Sequence, residues 1–530
     1  MPTKMINASF SVSPQITPPD LATLQAQGFK SIICNRPDAE TPDQPTSDAI
    51  KQAAEDVGLQ FAYLPVTSPA ITAIDAAKMA EALSHLPAPV LAYCRSGARS
   101  QAMYEAAQAV PSKTPDAASK IYDVVIVGGG SAGIAVAAAL RKRQATLCIA
   151  LIEPADTHYY QPGWTLVGAG VLPQSATARP MHSVIPPGVT WLKTAATHFE
   201  PDTHRVQLAN GEDVAYRALV LCPGLYLDWA AIPGLCDSLG QHGVTSNYRF
   251  DLAPYTQKLT KTLTSGRAIF TQPPMPIKCA GAPQKAMYLS CDEWRRAGRL
   301  QALNVEFHAA GNVLFGVAAY VPALMEYVKR YHIQLNFEST LIGVDGPAKT
   351  ARFQQKNTDG TSEIKECHFD MLHVVPPQRA PDFIKNSPFA AANGYVAVDE
   401  ARLQHPVYKN VFALGDACAA PNAKTAAAVR QQAPVVACNL LAFLNDKPLP
   451  AYYSGYGSCP LTVARNRIVL AEFSYGGKIT PTFPTWLING TKPTRAAWFL
   501  KETVLPRFYW HGMLKGREWC MQKNLSDVKN

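Results

Sequence analysis

The sequence of 530 residues predicts a multidomain α/β protein, with a small α/β domain in front of a larger one. Three observations support this fold class. Short hydrophobic strands alternate with helical patterns, a glycine-rich turn joins a strand to a helix at 128–133, and a short polar stretch follows the first 108 residues. The length allows about three domains. A composition of 47% apolar and 17% charged residues excludes a disordered chain.

Residues 1–108 predict the small α/β domain, and residues 109–120, which are small and polar, predict a linker. Strands are predicted at 31–34, 61–66 and 90–93, and helices at 73–86 and 101–108. The third strand leads to Cys94, and a loop containing Arg99 then enters the next helix. The backbone N–H groups of such a loop, closed by an arginine, bind an anion and stabilise a thiolate. Cys94 and Arg99 are therefore candidate catalytic residues.

A dinucleotide-binding fingerprint begins the larger region. A buried strand at 121–127 leads directly into Gly128, Gly130 and Gly133, a helix follows at 134–140, and a second strand at 147–152 ends in Glu153. The glycines let the backbone approach a pyrophosphate at the helix N-terminus, and the acid accepts hydrogen bonds from ribose hydroxyls. A strand, a glycine turn, a helix, a second strand and an acid in this order and spacing predict a Rossmann-type domain.

A second nucleotide signature lies late in the chain and indicates FAD. The strand at 410–414 leads into Gly415 and Asp416, and a helix of small residues follows at 425–444, with Pro434 predicted to kink it. This pattern resembles the second FAD motif of the two-dinucleotide-fold flavoproteins, in which the matching aspartate binds the ribityl chain. The N-terminus of the helix would then stabilise the negative charge of reduced flavin.

The middle region lacks the phosphate cradle that a pyridine nucleotide needs. Its first strand, at 266–271, runs into a proline-rich stretch that reaches Cys279, and the strand at 305–309 also lacks a glycine fingerprint. We therefore expect that a pyridine nucleotide is not the electron partner. Lys278, next to Cys279, would lower the pKa of that thiol. Cys459 is the other candidate thiol, although a cysteine chosen from bare sequence is usually an inert buried residue.

From residue 121 to its end the chain resembles the type II, eukaryotic-like sulfide:quinone oxidoreductases. The resemblance rests on four strings in the family order, at 159–170, 278–285, 455–461 and 508–510. It implies that Cys279 and Cys459 are a redox pair, that hydrosulfide opens their disulfide to leave a persulfide on one cysteine, and that the other thiolate reacts with the flavin. Two electrons then pass from FAD to a quinone, and the sulfane sulfur leaves to a small nucleophile. Cys222 lies in a loop near the cofactor in this family, and we do not expect it to be a third redox thiol.

The complete prediction is a phosphatase- or rhodanese-like domain followed by a two-dinucleotide-binding-domain flavoprotein. Its FAD-binding domain is expected at 121–245 and 377–485, an inserted degenerate NAD-like domain at 246–376, and membrane-surface amphipathic helices at 486–530. No metal site is expected. The residues expected to bind the cofactor are Gly128, Gly130, Ser131, Ala132, Gly133, Glu153, Gln161, Gly415, Asp416, Lys424 and Thr425.

The first domain resembles the phosphatase-like domain of the beta-lactamase-hydrolase-like family, including the Asn-Arg-Pro-Asp string at 35–38. The tyrosine-phosphatase pattern puts five residues between its cysteine and arginine, whereas Cys94 and Arg99 enclose four, as in rhodanese-type loops. Around 67–71 no aspartate stands ready as a general acid, and Asp75 is the nearest. We favour transfer of sulfane sulfur through a Cys94 persulfide. Phosphatase action and an inert anion-binding module stay open.

The net charge of +9 is concentrated near the C-terminus, because residues 491–530 hold eight basic and three acidic side chains. Segments 496–505 and 507–519, broken by Pro506, interleave aromatic residues with these cations, which predicts two short amphipathic helices on a membrane surface. A basic face packed on the core is the alternative. No nucleic-acid motif accompanies the basic residues, and no uninterrupted apolar run reaches about 18 residues.

Twelve cysteines in 530 residues are too few for a disulfide scaffold, and the N-terminus has no apolar segment that would direct export. We therefore expect a cytoplasmic enzyme bound peripherally to the cytoplasmic face of the inner membrane. Its expected partners are sulfide, a quinone and a small-molecule sulfur acceptor, and a homo-oligomer is left open. Two other functions stay open: an NAD(P)H-dependent flavin disulfide or polysulfide reductase, and a flavin redox sensor with a phosphatase-like output domain.

Overall fold

A computed structural model provides the structure of the protein. It describes residues 3–67, 71–109, 120–357, 359–421 and 423–518. The chain forms two compact units, Met1–Ala118 and Ser119–Asn530. Residues 110–119 of the predicted linker and residues 519–530 of the predicted tail lie outside the described residues.

The N-terminal unit is a five-stranded sheet with helices, in the strand order β1-β2-β5-β3-β4. β1 and β2 are antiparallel and the other pairs are parallel. β3 and β5 are fully buried, which explains their short, continuous apolar sequences. The elements are β1 (Lys4–Asn7), β2 (Phe10–Ser13), α1 (Asp20–Ala26), β3 (Ser31–Cys34), α2 (Ser47–Asp56), β4 (Gln60–Tyr63), α3 (Ala73–His85), β5 (Val90–Tyr93) and α4 (Ala98–Ala109).

The larger unit begins with a Rossmann-type sheet. Strands β10, β7, β6 and β13 are parallel neighbours, β24 pairs with β13, and β12 and β11 extend the sheet in antiparallel fashion. The elements in chain order are β6 (Ile121–Val127), α5 (Ser131–Arg143), β7 (Ile149–Ile152), β8 (Thr157–Tyr159), α6 (Trp164–Gly168), β9 (Ala178–Pro180), β10 (Val189–Leu192), β11 (Ala196–Glu200), β12 (Arg205–Leu208), β13 (Asp213–Leu221), β14 (Tyr226–Leu227) and α7 (Leu235–Ser238).

A second parallel sheet of the same unit has the order β15-β22-β16-β17-β18, and a three-stranded antiparallel sheet, β19-β20-β21, lies next to it in the chain. The elements are β15 (Val244–Thr245), α8 (Ala253–Thr262), β16 (Gly266–Gln272), α9 (Ala282–Arg296), β17 (Leu303–Ala309), α10 (Val321–Arg330), β18 (Gln334–Phe337), β19 (Ser339–Asp345), β20 (Thr350–Lys356), β21 (Ser362–His368), β22 (Met371–His373), β23 (Gln378–Arg379) and α11 (Asp382–Lys385).

The chain then returns to the first sheet through β24 and ends in a hairpin and short helices. These elements are β24 (Val411–Ala413), α12 (Ala426–Leu444), β25 (Gly457–Ala464), β26 (Arg467–Phe473), α13 (Arg495–Phe499) and α14 (Leu505–His511). α12 packs against α5, and the hairpin β25–β26 packs against α9. The hairpin therefore belongs to the same hydrophobic cluster as the second sheet.

Helix α12 is the one helix among the described residues that is long and apolar enough to cross a membrane. Most of its side chains are buried inside the protein. Its apolar composition is accounted for by its place in the core, between the sheet and α5.

The C-terminal segment is packed into the larger unit, which corrects the prediction of an exposed aromatic face. Trp498, Tyr509 and Trp510 are buried, whereas Phe499 is 60% exposed. The predicted break at Pro506 is also wrong, because α13, a π-helical turn at Leu500–Val504 and α14 follow one another directly. Proline is tolerated in the first turn of a helix, where its missing N–H is not needed.

Candidate active site

A cavity of about 510 Å³ lies inside the larger unit, where the Rossmann turn, the start of α12 and the start of α9 converge. Ten of the eleven residues predicted to bind the cofactor line it. Gly133 is the exception. Of the two predicted redox cysteines, Cys279 lines the cavity, and Cys459 is buried between Ser458 and Pro460, which both line it. Cys94 and Arg99 belong to the N-terminal unit.

The Rossmann turn needs glycine for close backbone packing. Gly128 has a φ of +104°, and a Cβ there would lie 2.5 Å from the carbonyl oxygen of Cys222. A Cβ on Gly133 would lie 1.8 Å from the carbonyl oxygen of Gly128, so this glycine lets the helix approach the turn without facing the cavity itself. Glu153 accepts hydrogen bonds from the N–H groups of Gly129, at 2.7 Å, and Ala155, at 2.8 Å.

The second nucleotide signature closes the opposite wall. Gly415 has a φ of +74°, and its N–H donates to the side-chain oxygen of Gln432 at 2.8 Å. Lys424 donates to the carbonyl oxygen of Asp416 at 2.7 Å, and Thr425 caps α12 by accepting from Ala428 N–H at 3.2 Å. Burial raises the pKa of the Asp416 carboxyl, and Lys424 opposes that rise. One wall of the cavity is therefore formed by the Asp416 carboxyl, the Lys424 ammonium and the N-terminus of α12.

Cys279 occupies the strand-to-helix turn where a pyridine-nucleotide fold would carry its glycine fingerprint. β16 ends at Gln272 and α9 begins at Ala282, whose N–H donates to the carbonyl oxygen of Cys279 at 2.7 Å. Cys279 has a φ of +50°, and the hydroxyl of Tyr248 donates to the carbonyl oxygens of Lys278 and Cys279 at 2.8 and 3.2 Å. These contacts hold the thiol at the N-terminus of a 15-residue helix, a position that favours the thiolate.

Cys459 enters from β25 and meets Cys279 as a free thiol. A hydrogen bond from Cys459 and the charge of Lys285 hold the pKa of Cys279 well below its usual range, and the same contact with Cys279 raises the pKa of Cys459. Cys279 is therefore the thiolate of the pair and Cys459 the proton donor. Cys459 is 1% exposed, whereas Cys279 is half-buried and lines the cavity.

Sequence reasoning assigned the cation beside the thiol to Lys278, and the structure corrects this. The ammonium group of Lys278 donates to the side-chain oxygen of Gln161. Lys285 instead places its Nζ atom 3.2 Å from the Sγ atom of Cys279. The spacing of six residues across the start of a helix is the signal that could have pointed to Lys285.

Lys501 is a second functional lysine that the sequence did not indicate. Its side chain is buried, lines the cavity and donates to the carbonyl oxygen of Pro162 at 2.7 Å. Burial, followed by repulsion from Lys285, lowers its pKa to about 7, against the opposing charges of Cys279 and Cys459. Nothing in the local sequence signals this residue, because its burial arises from the packing of the C-terminal segment.

The C-terminal segment also contacts the Rossmann turn. The hydroxyl of Tyr509 lies 2.7 Å from the Oγ atom of Ser131 and 2.6 Å from the Nε2 atom of His158, whose Nδ1 atom lies 3.0 Å from the carbonyl oxygen of Gly129. Burial lowers the pKa of His158 to about 4, so the ring is neutral at pH 7. Tyr509 therefore contacts Ser131 of the nucleotide loop directly and Gly129 of the same loop through His158.

Cys222 also lines the cavity. It is 4% exposed, burial raises the pKa of its thiol, and its Sγ atom lies 3.5 Å from the carbonyl oxygen of Gly128.

Outside the cavity, Glu306, His308 and Cys367 bring their ligand-type atoms within 4.8 Å of one another. Arg267 contacts Glu306 at 3.1 Å and already balances that carboxylate.

In the N-terminal unit, Cys94 lies at the base of the predicted loop and is 1% exposed. Burial raises the pKa of its thiol, but hydrogen bonds from Ser100, Ser96 and Gly97 outweigh burial and lower it overall. The N–H of Gly97 lies 3.1 Å from the sulfur. The guanidinium of Arg99 contacts Glu40 at 2.6 Å. Asp75 caps α3 through Thr72, so it serves a structural purpose.

The cavity residues fit FAD. The glycine turn leaves room for a pyrophosphate at the N-terminus of α5, and the volume lies in the range of cofactor sites. Among the described residues that line the cavity, Trp164 Nε1, Thr165 Oγ1 and Asn247 Oδ1 are buried without hydrogen-bond partners. A polar cofactor would satisfy such groups, which are otherwise costly to bury.

Comparison with known proteins agrees with this architecture. Residues 3–111 match the family described as beta-lactamase hydrolase-like protein, phosphatase-like domain, and residues 122–433 match pyridine nucleotide-disulphide oxidoreductase. The mitochondrial sulfide:quinone oxidoreductase of Dictyostelium discoideum is 40% identical over 400 residues, covering 75% of this chain and 87% of that protein. The beta-lactamase hydrolase-like protein of Agrobacterium fabrum is 35% identical over 108 residues, covering 20% of this chain and 25% of that protein. The sulfide:quinone oxidoreductase structure from Aquifex aeolicus has a TM-score of 0.62 at 19% identity, covering 75% of this chain and 92% of that one.

The fold and the site define an FAD-dependent flavoprotein oxidoreductase with a phosphatase-like domain in front of it. This confirms the predicted fold class and the predicted cofactor. At 40% identity over most of both chains, the chain belongs to the sulfide:quinone oxidoreductase family.

Proposed function

We propose that the protein oxidises sulfide to sulfane sulfur at the Cys279–Cys459 pair and passes two electrons to a quinone. The observation that carries the proposal is the Cys279 thiolate, which stands on the cavity wall beside Lys285 in place of a pyridine-nucleotide cradle. FAD, when bound, supplies the two-electron acceptor that separates sulfide oxidation from quinone reduction.

The charge arrangement assigns different tasks to the two cysteines. When hydrosulfide attacks their disulfide, the S–S bond breaks, and the sulfur with the lower thiol pKa is the better leaving group. Lys285 stabilises that leaving thiolate on Cys279. The incoming sulfur then bonds to Cys459 as a persulfide, and the Cys279 thiolate stays on the cavity wall with an electron pair to donate. A small nucleophile removes the outer sulfur from Cys459. The cycle closes when the sulfurs of Cys279 and Cys459 form their disulfide again and release two electrons, for which FAD, when bound, would be the acceptor.

The reductive half of this reaction is tested by anaerobic mixing. Sulfide should bleach the visible flavin absorbance of the purified protein, and Cys279→Ser should abolish the bleaching. Cys236→Ser is the matched control, since Cys236 is an exposed thiol away from the cavity. Bleaching by NADH without any response to sulfide would instead favour the disulfide or polysulfide reductase.

The oxidative half is tested in steady state. Sulfide-dependent reduction of decyl-ubiquinone should proceed in the wild type and in Cys236→Ser, and should be lost in Cys279→Ser and Cys459→Ser. Flavin reduction by sulfide without turnover on added quinone would favour the redox sensor over the enzyme.

We also propose that the Cys94 loop handles sulfane sulfur. Its hydrogen bonds stabilise a thiolate inside a small loop, and in the described part of the domain Asp75 is committed to capping α3. In the full chain with Cys279→Ser, sulfur transfer from hydroxyethyl persulfide should depend on Cys94 and disappear in Cys94→Ser. Release of phosphate from p-nitrophenyl phosphate without sulfur transfer would assign a phosphatase instead.

Peripheral binding to a membrane surface, on the cytoplasmic face of the inner membrane, is part of this proposal. The exposed apolar side chains near the basic C-terminal segment are Trp486, at 83%, Leu487, at 50%, and Phe499, at 60%. Tryptophan and leucine of this kind insert into the interfacial region of a bilayer. Trp486→Ser with Leu487→Ser should reduce cosedimentation with anionic vesicles. Ile364→Ser, which changes an equally exposed apolar residue on β21, should not.

A further inference from the structure

In the N-terminal unit, one carboxylate bridges two arginines beside the Cys94 loop. Glu40 Oε1 lies 2.6 Å from Nη2 of Arg99, and Glu40 Oε2 lies 2.8 Å from Nε of Arg36. Arg99 also donates to the carbonyl oxygen of Asn35 at 3.4 Å. The arginine that closes the loop is therefore already paired with an anion supplied by the protein.

This pairing limits the charge that the loop can accept. The Cys94 thiolate and the Glu40 carboxylate carry two negative charges, which Arg36 and Arg99 balance. Arg36 is 5% exposed, whereas Glu40 is an exposed residue whose side chain is 24% accessible, so solvent screens this ion pair in part. The charge of Arg99 lowers the pKa of Glu40, which keeps the carboxylate ionised at pH 7. A dianion entering the loop would bring two more negative charges and would meet Arg99 already paired, so that in the described part of the loop the exposed Arg95 is the other cation.

The other acid of the same segment, Asp38, has a structural role. Asp38 accepts from the N–H and the hydroxyl of Ser47, both at 2.6 Å, and so fixes the start of α2. The segment 35–40 thus supplies Glu40 as the acid that faces the loop arginine. The contact with Glu40 occupies one N–H donor of Arg99 and offsets its charge, so the guanidinium attracts a dianionic phosphate monoester less strongly than an unpaired arginine would.

We propose that Glu40 determines the substrate class of the Cys94 loop, admitting singly charged organic persulfides and disfavouring dianions such as phosphate monoesters and thiosulfate. The inference rests on the sulfur-transfer role proposed above for Cys94. In the transfer step the Cys94 thiolate attacks the outer sulfur of the donor persulfide. The donor S–S bond breaks, the donor leaves as a thiolate, and a new S–S bond forms on Cys94. The sulfane sulfur moves without net oxidation, so no further oxidant is required.

The test compares the wild type with Glu40→Gln in the full chain with Cys279→Ser. Glutamine keeps the size and removes the charge. With hydroxyethyl persulfide, which carries one charge, and thiosulfate, which carries two, Glu40→Gln should raise the ratio of kcat/KM for thiosulfate to that for the persulfide about tenfold. Glu40→Asp, which keeps the charge, should retain the wild-type ratio. Glu55→Gln on α2, an exposed position, is the matched control.

A binding measurement separates this inference from the sulfur-transfer proposal. Alkylation of Cys94 by iodoacetamide, followed by mass spectrometry, reports protection of the thiol by orthophosphate. Glu40→Gln should be protected at about tenfold lower phosphate concentration than the wild type. If no donor transfers sulfur but this shift occurs, the transfer role fails and the charge filter stands. An unchanged kcat/KM ratio together with unchanged phosphate protection in Glu40→Gln would overturn the role of Glu40.

Discussion

The Nζ atom of Lys285 lies 3.2 Å from the Sγ atom of Cys279, at the N-terminus of α9. An ammonium group at this distance from a half-buried thiol favours the thiolate, in the same direction as the helix N-terminus and the hydrogen bond from Cys459. The nucleophilic and electron-donating capacity of the site therefore depends on a lysine six residues after Cys279.

Replacing this lysine should weaken the thiolate. Lys285→Met should slow sulfide-dependent flavin bleaching about tenfold, since one unit in pKa corresponds to about 1.4 kcal/mol. The pH at which Cys279 reacts with iodoacetamide should move upward, measured by mass spectrometry of the alkylated peptide. Lys258→Met, on the exposed side of α8, is the control. Slower bleaching with an unchanged alkylation profile would mean that Lys285 acts by another route.

Tyr509 should contribute to FAD retention from the far end of the chain. Tyr509→Phe removes the hydroxyl that contacts Ser131, in the nucleotide loop, and His158, on β8, and leaves both groups without that partner. Loss of such a buried hydrogen-bonding group costs about 1–3 kcal/mol, so FAD should bind about tenfold more weakly in equilibrium dialysis. Unchanged FAD affinity would show that the tail contact is dispensable for the loop.

Deleting the chain from Thr494 onward should release FAD rather than yield a soluble holoprotein. The deletion removes buried Trp498, Tyr509 and Trp510, together with Lys501 on the cavity wall. Flavin content per polypeptide, read from absorbance spectra after gel filtration, is the measurement. A soluble truncation that keeps its FAD would restore the exposed amphipathic tail expected from the sequence.

The buried Lys501 should make stability depend on pH. Burial lowers its pKa to about 7, from an ordinary value of 10.5. Between these values the unfolded chain holds a proton that the folded chain does not, so the free energy of unfolding should rise as the pH increases through this window. Lys501→Met should flatten this rise and increase Tm most at the acidic end of the window. Calorimetry at pH 7 and pH 9 makes the comparison, and a parallel pH dependence in the variant would contradict it.

Gly133 should tolerate no side chain. A Cβ there would lie 1.8 Å from the carbonyl oxygen of Gly128, so Gly133→Ala must push α5 away from β6. We expect loss of FAD and a cost of about 3 kcal/mol in the free energy of unfolding. Gly311→Ala is the control, because a Cβ at Gly311 meets nothing within 4 Å. Retention of FAD in Gly133→Ala would mean that the turn can relax.

Local sequence patterns were sufficient to predict the nucleotide-binding parts of the fold. The strand at 121–127 is found with the predicted bounds, and the turn residues and Gly415 line one cavity because each motif is a short strand, turn and helix. Such motifs carry their geometry in a few consecutive residues. The family strings also pointed to Cys279 and Cys459, which the structure brings into contact.

The choice between Lys278 and Lys285 as the cation beside Cys279 was not decided by local sequence. Lys285, rather than Lys278, reaches the thiolate because α9 turns its first residues toward Cys279, and this direction depends on how the turn packs under Tyr248. The pairing of Glu40 with Arg99 likewise joins two segments of the N-terminal unit. Contacts of this kind depend on distances between elements, which local periodicity does not encode.

By itself the sequence determined the α/β class and the FAD-binding turns, because each depends on residue types at fixed short spacings, whereas Cys279 and Cys459 were indicated by the resemblance to a known family. The tertiary structure alone decided the location of the C-terminal segment. Its aromatic and basic composition indicates a membrane surface, yet Trp498, Tyr509 and Lys501 are buried, and Tyr509 and Lys501 line the nucleotide cavity. An aromatic stripe has the same sequence pattern whether lipid or protein covers it, and only the packing of the rest of the chain decides which.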